Sequence, residues 1–108
     1  MSAAVKDVTD ATFDEEVLRA RVPVLVDYWA EWCASSTEMV PALEAVADHY
    51  GDRLAVTKLD IEANPGTFFR YGAVSIPTQM VFRAGEVVAM NVGALSLPEL
   101  TTLIESAL

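Results

Sequence analysis

Two short runs constrain this chain more than any other feature. PVLVDYWA (23–30) and LAVTKLD (54–60) are mostly apolar and rich in β-branched and aromatic residues. A strand with one wet face alternates apolar and polar residues. PVLVDYWA lacks that alternation and reads as a strand covered on both faces, as central parallel strands are. LAVTKLD reads as a second buried strand. Covering both faces of such strands calls for helices on either side.

The intervening segments supply them. TFDEEVLRA opens with Thr12 and carries Glu15 three positions on, a capping-box spacing that predicts a short helix. Apolar residues at Met39, Val40, Leu43, Val46, Ala47 and Tyr50 recur at threes and fours. They predict one long helix after Cys33, stopped by Gly51 and kinked at Pro41, which has no N–H to donate. NPGTFFRYG predicts another helix, capped by Asn64, entered at Pro65 and stopped by Gly72. TQMVF and EVVAMNV flank RAGE, a turn short enough for a hairpin. Ser96 and Glu99 form a second capping box ahead of the amphipathic LPELTTLIESAL. AVKDV, near the start, alternates weakly and reads as an edge strand. The expected architecture is α/β: a mixed sheet between helices, in a single domain over 1–108. A chain of 108 residues can bury such a core without staples, and 53% hydrophobic residues argue against disorder.

Charge and composition exclude several classes of function. Sixteen acidic residues against seven scattered basic ones give a net charge of −9, which would repel a phosphate backbone, so nucleic acid is not an expected partner. The acidity serves solubility and can tune the choice of protein partner. No apolar run is long enough to span a bilayer. MSAAVKDVTD has no apolar stretch before its first acidic residue, so no secretion signal is expected and the cytoplasm is the expected location. One cysteine and one histidine cannot build an internal disulfide or a structural metal site. No glycine motif cradles a phosphate, and no cofactor is expected. His49 falls in a last helical turn, where a cation suits the dipole. Met39, Met80 and Met90 are expected in the core.

Cys33 is the candidate for chemistry. A lone cysteine is ordinarily a small buried apolar side chain. This one stands where a strand ends and a helix begins, between Trp32 and a run of small residues. Unpaired N–H groups and the positive end of the helix dipole meet there and favour thiolate, the nucleophilic form. Ser35 and Ser36 add hydroxyl donors. Ile76–Pro77 precedes a strand and reads either as an ordinary trans strand start or as a cis turn device. Asp27 lies mid-strand among buried residues, where a carboxylate must be paired or protonated. Lys58 in the neighbouring strand is the obvious partner; the alternative is an Asp27 that reaches solvent.

VLVDYWAEWCASS, KLDIEANPGTFFRYGAVSIPT and FRAGEVVAMNVGALS, in this order and spacing, resemble the bacterial thioredoxin family over nearly the whole chain. The resemblance implies a thioredoxin fold, with a central mixed five-stranded sheet flanked by four helices. It also implies a cis Ile76–Pro77 bond beside the thiol and a buried Asp27 behind it. Trp29, Trp32, Ala34, Ser35, Ile76, Pro77 and the Val92–Gly93–Ala94 loop would form a surface that receives an extended segment of a substrate protein. Cys33 matches the attacking cysteine, and Ser36, Asp27 and Lys58 complete the implied catalytic set.

The departures bear on mechanism. The family motif is Trp-Cys-Gly-Pro-Cys and then a basic residue; here it is Trp32, Cys33, Ala34, Ser35, Ser36 and Thr37. Ser36 stands where the resolving cysteine would be. Loss of the basic residue at Thr37 should raise the thiol pKa slightly. A mixed disulfide on Cys33 must then be resolved by a thiol of the substrate, by glutathione or by another small thiol. A docked thioredoxin reductase would find no disulfide inside the chain to reduce. The expected species is a monomer acting on protein disulfides or thiols. Two other readings stay open: a scaffold module that keeps the groove without the chemistry, and an engineered trap in which Ser36 replaces a cysteine. Ala34, Ser35 and Thr37 count against the trap, which would not need them.

Overall fold

The computed structural model describes residues 5–108. Five strands form one sheet in the order β1-β3-β2-β4-β5. They are β1 (Lys6–Asp7), β2 (Val24–Trp29), β3 (Ala55–Asp60), β4 (Thr78–Arg83) and β5 (Glu86–Val92). β1, β3 and β2 run parallel; β4 is antiparallel to β2 and β5 to β4. The helices are α1 (Ala34–Thr37), α2 (Val40–Tyr50), α3 (Gly66–Arg70) and α4 (Leu97–Ala107). A π-helical turn at Asp14–Leu18 and a 3-10 turn at Gly51–Arg53 complete the described elements. Within the early AVKDV stretch, Ala4 lies outside the described residues, as does the start of the N-terminal segment.

The period of two along each strand sorts the core into two layers. Leu25, Val56 and Val81 face α2 and α4, packing with Leu43, Val46, Leu100 and Ile104. Val24, Val26, Tyr28, Leu59, Met80 and Phe82 face the other way, against Phe13, Val17 and Phe68. The central strand β2 is buried along its length except at Trp29, as its unbroken apolar run requires.

Several sequence expectations are met. Gly72 has φ +79 and ends α3, the left-handed conformation that glycine adopts without a Cβ penalty. Ala84 and Gly85, both at positive φ, make the two-residue turn between β4 and β5. The Ser96–Glu99 capping box is complete in both directions.

Others are corrected. Thr12 does not cap Glu15: it and Thr9 bond each other, with Thr9 N donating to Thr12 Oγ1 and Thr12 N to Thr9 Oγ1. The expected long helix is two helices. The chain breaks at Glu38–Met39, and Pro41 falls in the first turn of α2, where its missing N–H costs nothing. Met90 is 48% exposed although it pairs with the fully buried Met80. It sits on the edge strand, beyond the side chains that cover β4.

Asn64 does not cap α3; it is bonded instead to Asp10 N and Asp60 O. The cap comes from Asp10, 56 residues away from Gly66 in sequence. Its carboxylate accepts from Gly66 N (2.8 Å), Thr67 N (3.0 Å) and Thr67 Oγ1 (2.9 Å). A Cβ at position 66 would lie 2.9 Å from Asp10 Oδ2, so any residue larger than glycine there would displace the capping carboxylate. Partial burial alone would raise the Asp10 pKa, but the bonds from Thr67 and Gly66 hold it below its ordinary value. Asp10→Ala should therefore cost about 1–2 kcal/mol in urea unfolding at neutral pH. Because the folded pKa is the lower one, the difference between the two proteins should shrink as pH falls below the ordinary carboxylate range.

Candidate functional site

The register brings three loops to one end of the sheet. Tyr28 on β2 pairs with Thr78 on β4, and Thr78 with Val92 on β5. The Cys33 segment follows β2, Ile76–Pro77 precedes β4, and Gly93–Ala94 follows β5, so all three emerge together. The Ile76–Pro77 peptide bond is cis. Gly93 N donates to Pro77 O (2.8 Å) and Thr78 Oγ1 to Ser75 O (2.6 Å), which ties the β5 loop to the proline turn.

Cys33 is extended (φ −99°, ψ 106°) and is the N-cap residue of α1. Its carbonyl accepts from Ser36 N and Thr37 N, both at 3.1 Å, and its own N–H donates to Ala30 O. The side chain is half-buried, with Sγ 3.4 Å from Ser35 Oγ. The thiol pKa is lowered first by the Ser35 hydroxyl, then by the Ser36 hydroxyl and the Ser36 N–H, against a small opposing effect of burial. The dipole has less part in this than the sequence implies, because α1 is only four residues long. Ser36 is fully buried, and its hydroxyl makes no hydrogen bond of ordinary geometry. It is close enough to favour the sulfur anion without being held by it.

The surrounding surface is open rather than pocketed. Trp32 is 66% exposed, and its indole N–H donates to Glu62, which fixes the ring's orientation. Ala34, Ser35 and Ala94 are exposed, Val92 is 53% exposed, Trp29 and Ile76 are half-buried and Pro77 is buried. A cavity of about 530 Å³ lies at the far end of the sheet, lined by Arg21, Arg53 and Arg83 among others, and shares no residue with this surface.

Asp27 is buried, 1% exposed, but not paired with Lys58. The Lys58 ammonium turns to Asp7 (3.2 Å) and lies 4.3 Å over the Trp29 ring. Asp27 instead accepts from Gln79 Nε2 at 3.3 Å. Burial pushes its pKa up to about 7, against the Gln79 hydrogen bond and the more distant Lys58 charge. A lysine prefers the half-exposed stack, where its ammonium keeps contact with water, to a dry carboxylate.

The thioredoxin family model matches residues 4–106. The chain belongs to the thioredoxin family. It is 46% identical to a thioredoxin of Acidithiobacillus ferridurans over 108 residues, covering 100% of both chains. It is 46% identical to a thioredoxin of Pseudomonas aeruginosa over 98% of each, and 48% identical to one of Streptomyces clavuligerus over 87% of each. Among the described residues, no helix is long and apolar enough to cross a membrane.

Three residues close to the candidate site escaped the sequence reading: Gln79, Asn91 and Glu62. Gln79 carried a usable signal, since it interrupts an apolar strand just as Asp27 does and is its register partner. Asn91 lies on an edge strand and Glu62 in a loop, where polar residues are ordinary. Their roles come only from what they touch.

Proposed function

We propose that this thioredoxin-family chain exchanges thiols with protein disulfides through Cys33 alone. The observation that carries the reading is a half-exposed sulfur, 3.4 Å from the Ser35 hydroxyl, whose pKa local donors hold down. Cys33 thiolate attacks one sulfur of a substrate disulfide, forms the mixed disulfide and expels the other sulfur as thiolate. The Trp32, Ile76–Pro77 and Val92–Ala94 surface receives an extended segment around that disulfide. Ser36 cannot attack the mixed disulfide, because a hydroxyl is no substitute for a thiolate. An incoming thiolate, from the substrate or from glutathione, attacks the mixed disulfide and releases Cys33. A substrate thiol makes the outcome isomerisation; a small thiol leaves a substrate–small-thiol mixed disulfide, which a second small thiol cleaves to complete reduction and leave as the small-thiol disulfide. The setting proposed is the cytoplasm and the active species a single-domain monomer.

The test is capture from cytosolic extract, followed by mass spectrometry. Wild type should hold disulfide-linked partners that added glutathione releases, and should react with a model disulfide faster than free glutathione does at neutral pH. Cys33→Ser should lose every covalent adduct, since the chain has no second sulfhydryl. Partner capture unchanged by Cys33→Ser would make the chain a scaffold instead.

A further inference from the structure

One row of polar residues crosses the whole sheet on the face under α2. In register order it is Asp7 on β1, Lys58 on β3, Asp27 on β2, Gln79 on β4 and Asn91 on β5, one from every strand. From Asp27 outwards the contacts are continuous. Gln79 Nε2 donates to Asp27 Oδ1 (3.3 Å) and toward Met39 Sδ (3.2 Å). Asn91 Nδ2 donates to Gln79 Oε1 (2.9 Å) and to Gly93 O (3.1 Å). Gly93 N in turn holds Pro77 O.

Both protons of each amide nitrogen are thus used, which fixes the direction of the chain. A reversed Gln79 would set its oxygen against the carboxylate and its NH₂ against that of Asn91. Gln79 is fully buried and Asn91 half-buried, so water offers Gln79 no alternative partner. A hydrogen bond to an ionised carboxylate is about twice as strong as a neutral one, and it polarises the amide that makes it. The Gln79 oxygen then becomes a better acceptor for Asn91. When Asp27 takes up a proton, that reinforcement is lost. Of the groups that act on Asp27, only Lys58 carries a charge; Gln79, which donates to it, and Met39, on the other side of the Gln79 amide, are neutral.

We propose that Gln79 and Asn91 are positioning residues that tie the charge of Asp27 to the Gly93 loop, so that the partner-binding surface is held differently in the two states of the carboxyl. The functional consequence rests on the Cys33 reading above; the coupling itself does not. Exchange with an extended peptide disulfide would feel the state of Asp27 through the loop, beyond any effect on the thiol.

The coupling is tested by NMR in the Cys33→Ser background, where no thiol titrates. The Asp27 carboxyl carbon, the Asn91 side-chain NH₂ and the Ala94 N–H, which shares a peptide unit with Gly93 O, should move with one common midpoint near neutral pH. In Gln79→Leu, Asp27 should still titrate, at a higher midpoint because a bond to its anion is gone, while Asn91 and Ala94 lose the transition. An Ala94 signal that ignores the Asp27 titration in the parent, or still follows it in Gln79→Leu, overturns the coupling. With Cys33 restored, Asn91→Leu should lower the rate with a disulfide-bonded extended peptide several-fold and leave the rate with a small aromatic disulfide unchanged. Equal effects on both substrates would overturn the link to the surface. A wild type unreactive toward both would refute the Cys33 reading while leaving the NMR result standing.

Discussion

Ser36→Cys is expected to replace slow release of the mixed disulfide by an external thiol with fast release from within the chain. Position 36 is three residues after Cys33, and residues so spaced on a helix are neighbours at about 5–6 Å between Cβ atoms, within reach of a disulfide after small adjustment. The new thiol would attack the mixed disulfide at Cys33 Sγ, expel the substrate thiolate and leave a disulfide inside the chain for an external dithiol to reduce. Resolution would then be intramolecular, and release should accelerate by at least on the order of a hundredfold over wild type at equal small-thiol concentration. The fold should tolerate the change. Ser36 is fully buried and its hydroxyl makes no hydrogen bond of ordinary geometry, so little is lost when a thiol, a small group suited to burial, replaces it. The measurement is single-turnover release of a labelled peptide, followed by steady-state reduction with a dithiol. Release as slow as wild type, with an intact fold, would mean that the buried position cannot reach the Cys33 sulfur.

Asp27→Asn is expected to stabilise the protein at alkaline pH. Burial raises the Asp27 pKa from its ordinary 3.8 to about 7, so the folded state holds this proton more tightly than the unfolded chain does. The contribution to stability is complete below 3.8, falls as pH rises toward 7, and is gone above it. Three pH units at 1.36 kcal/mol each make the loss on the order of 4 kcal/mol. Asparagine keeps an oxygen for Gln79 and never ionises. Urea unfolding should show Asp27→Asn more stable than wild type by a few kcal/mol at pH 8, with the gap closing toward pH 4. A gap independent of pH would mean that Asp27 keeps an ordinary pKa in the folded protein.

Local elements were legible where their signal was local. The run 23–30 announced a buried strand because nothing polar but Asp27 interrupts it. The Ser96–Glu99 box announced α4, since both partners lie within one turn. Signals failed where the partner was distant. Asn64 looked like a cap, but the cap is Asp10, whose carboxylate arrives only when the segment after β1 packs against α3. Pro41 looked like a kink inside one helix, but the chain breaks earlier and uses the proline to start the second.

The site divides in the same way. By itself the sequence determined the family, through motifs spread over nearly the whole chain, and it placed the single sulfhydryl beside Ser35 and Ser36 with no second cysteine, because these are matters of residue type and short spacing. Tertiary structure alone decided that Lys58 serves Asp7 and Trp29 rather than Asp27, and that hydrogen bonds of Gln79 and Asn91 join Asp27 to Gly93. Which buried polar groups meet depends on strand register and on the side chain each helix lays above it, and no spacing along the chain encodes that.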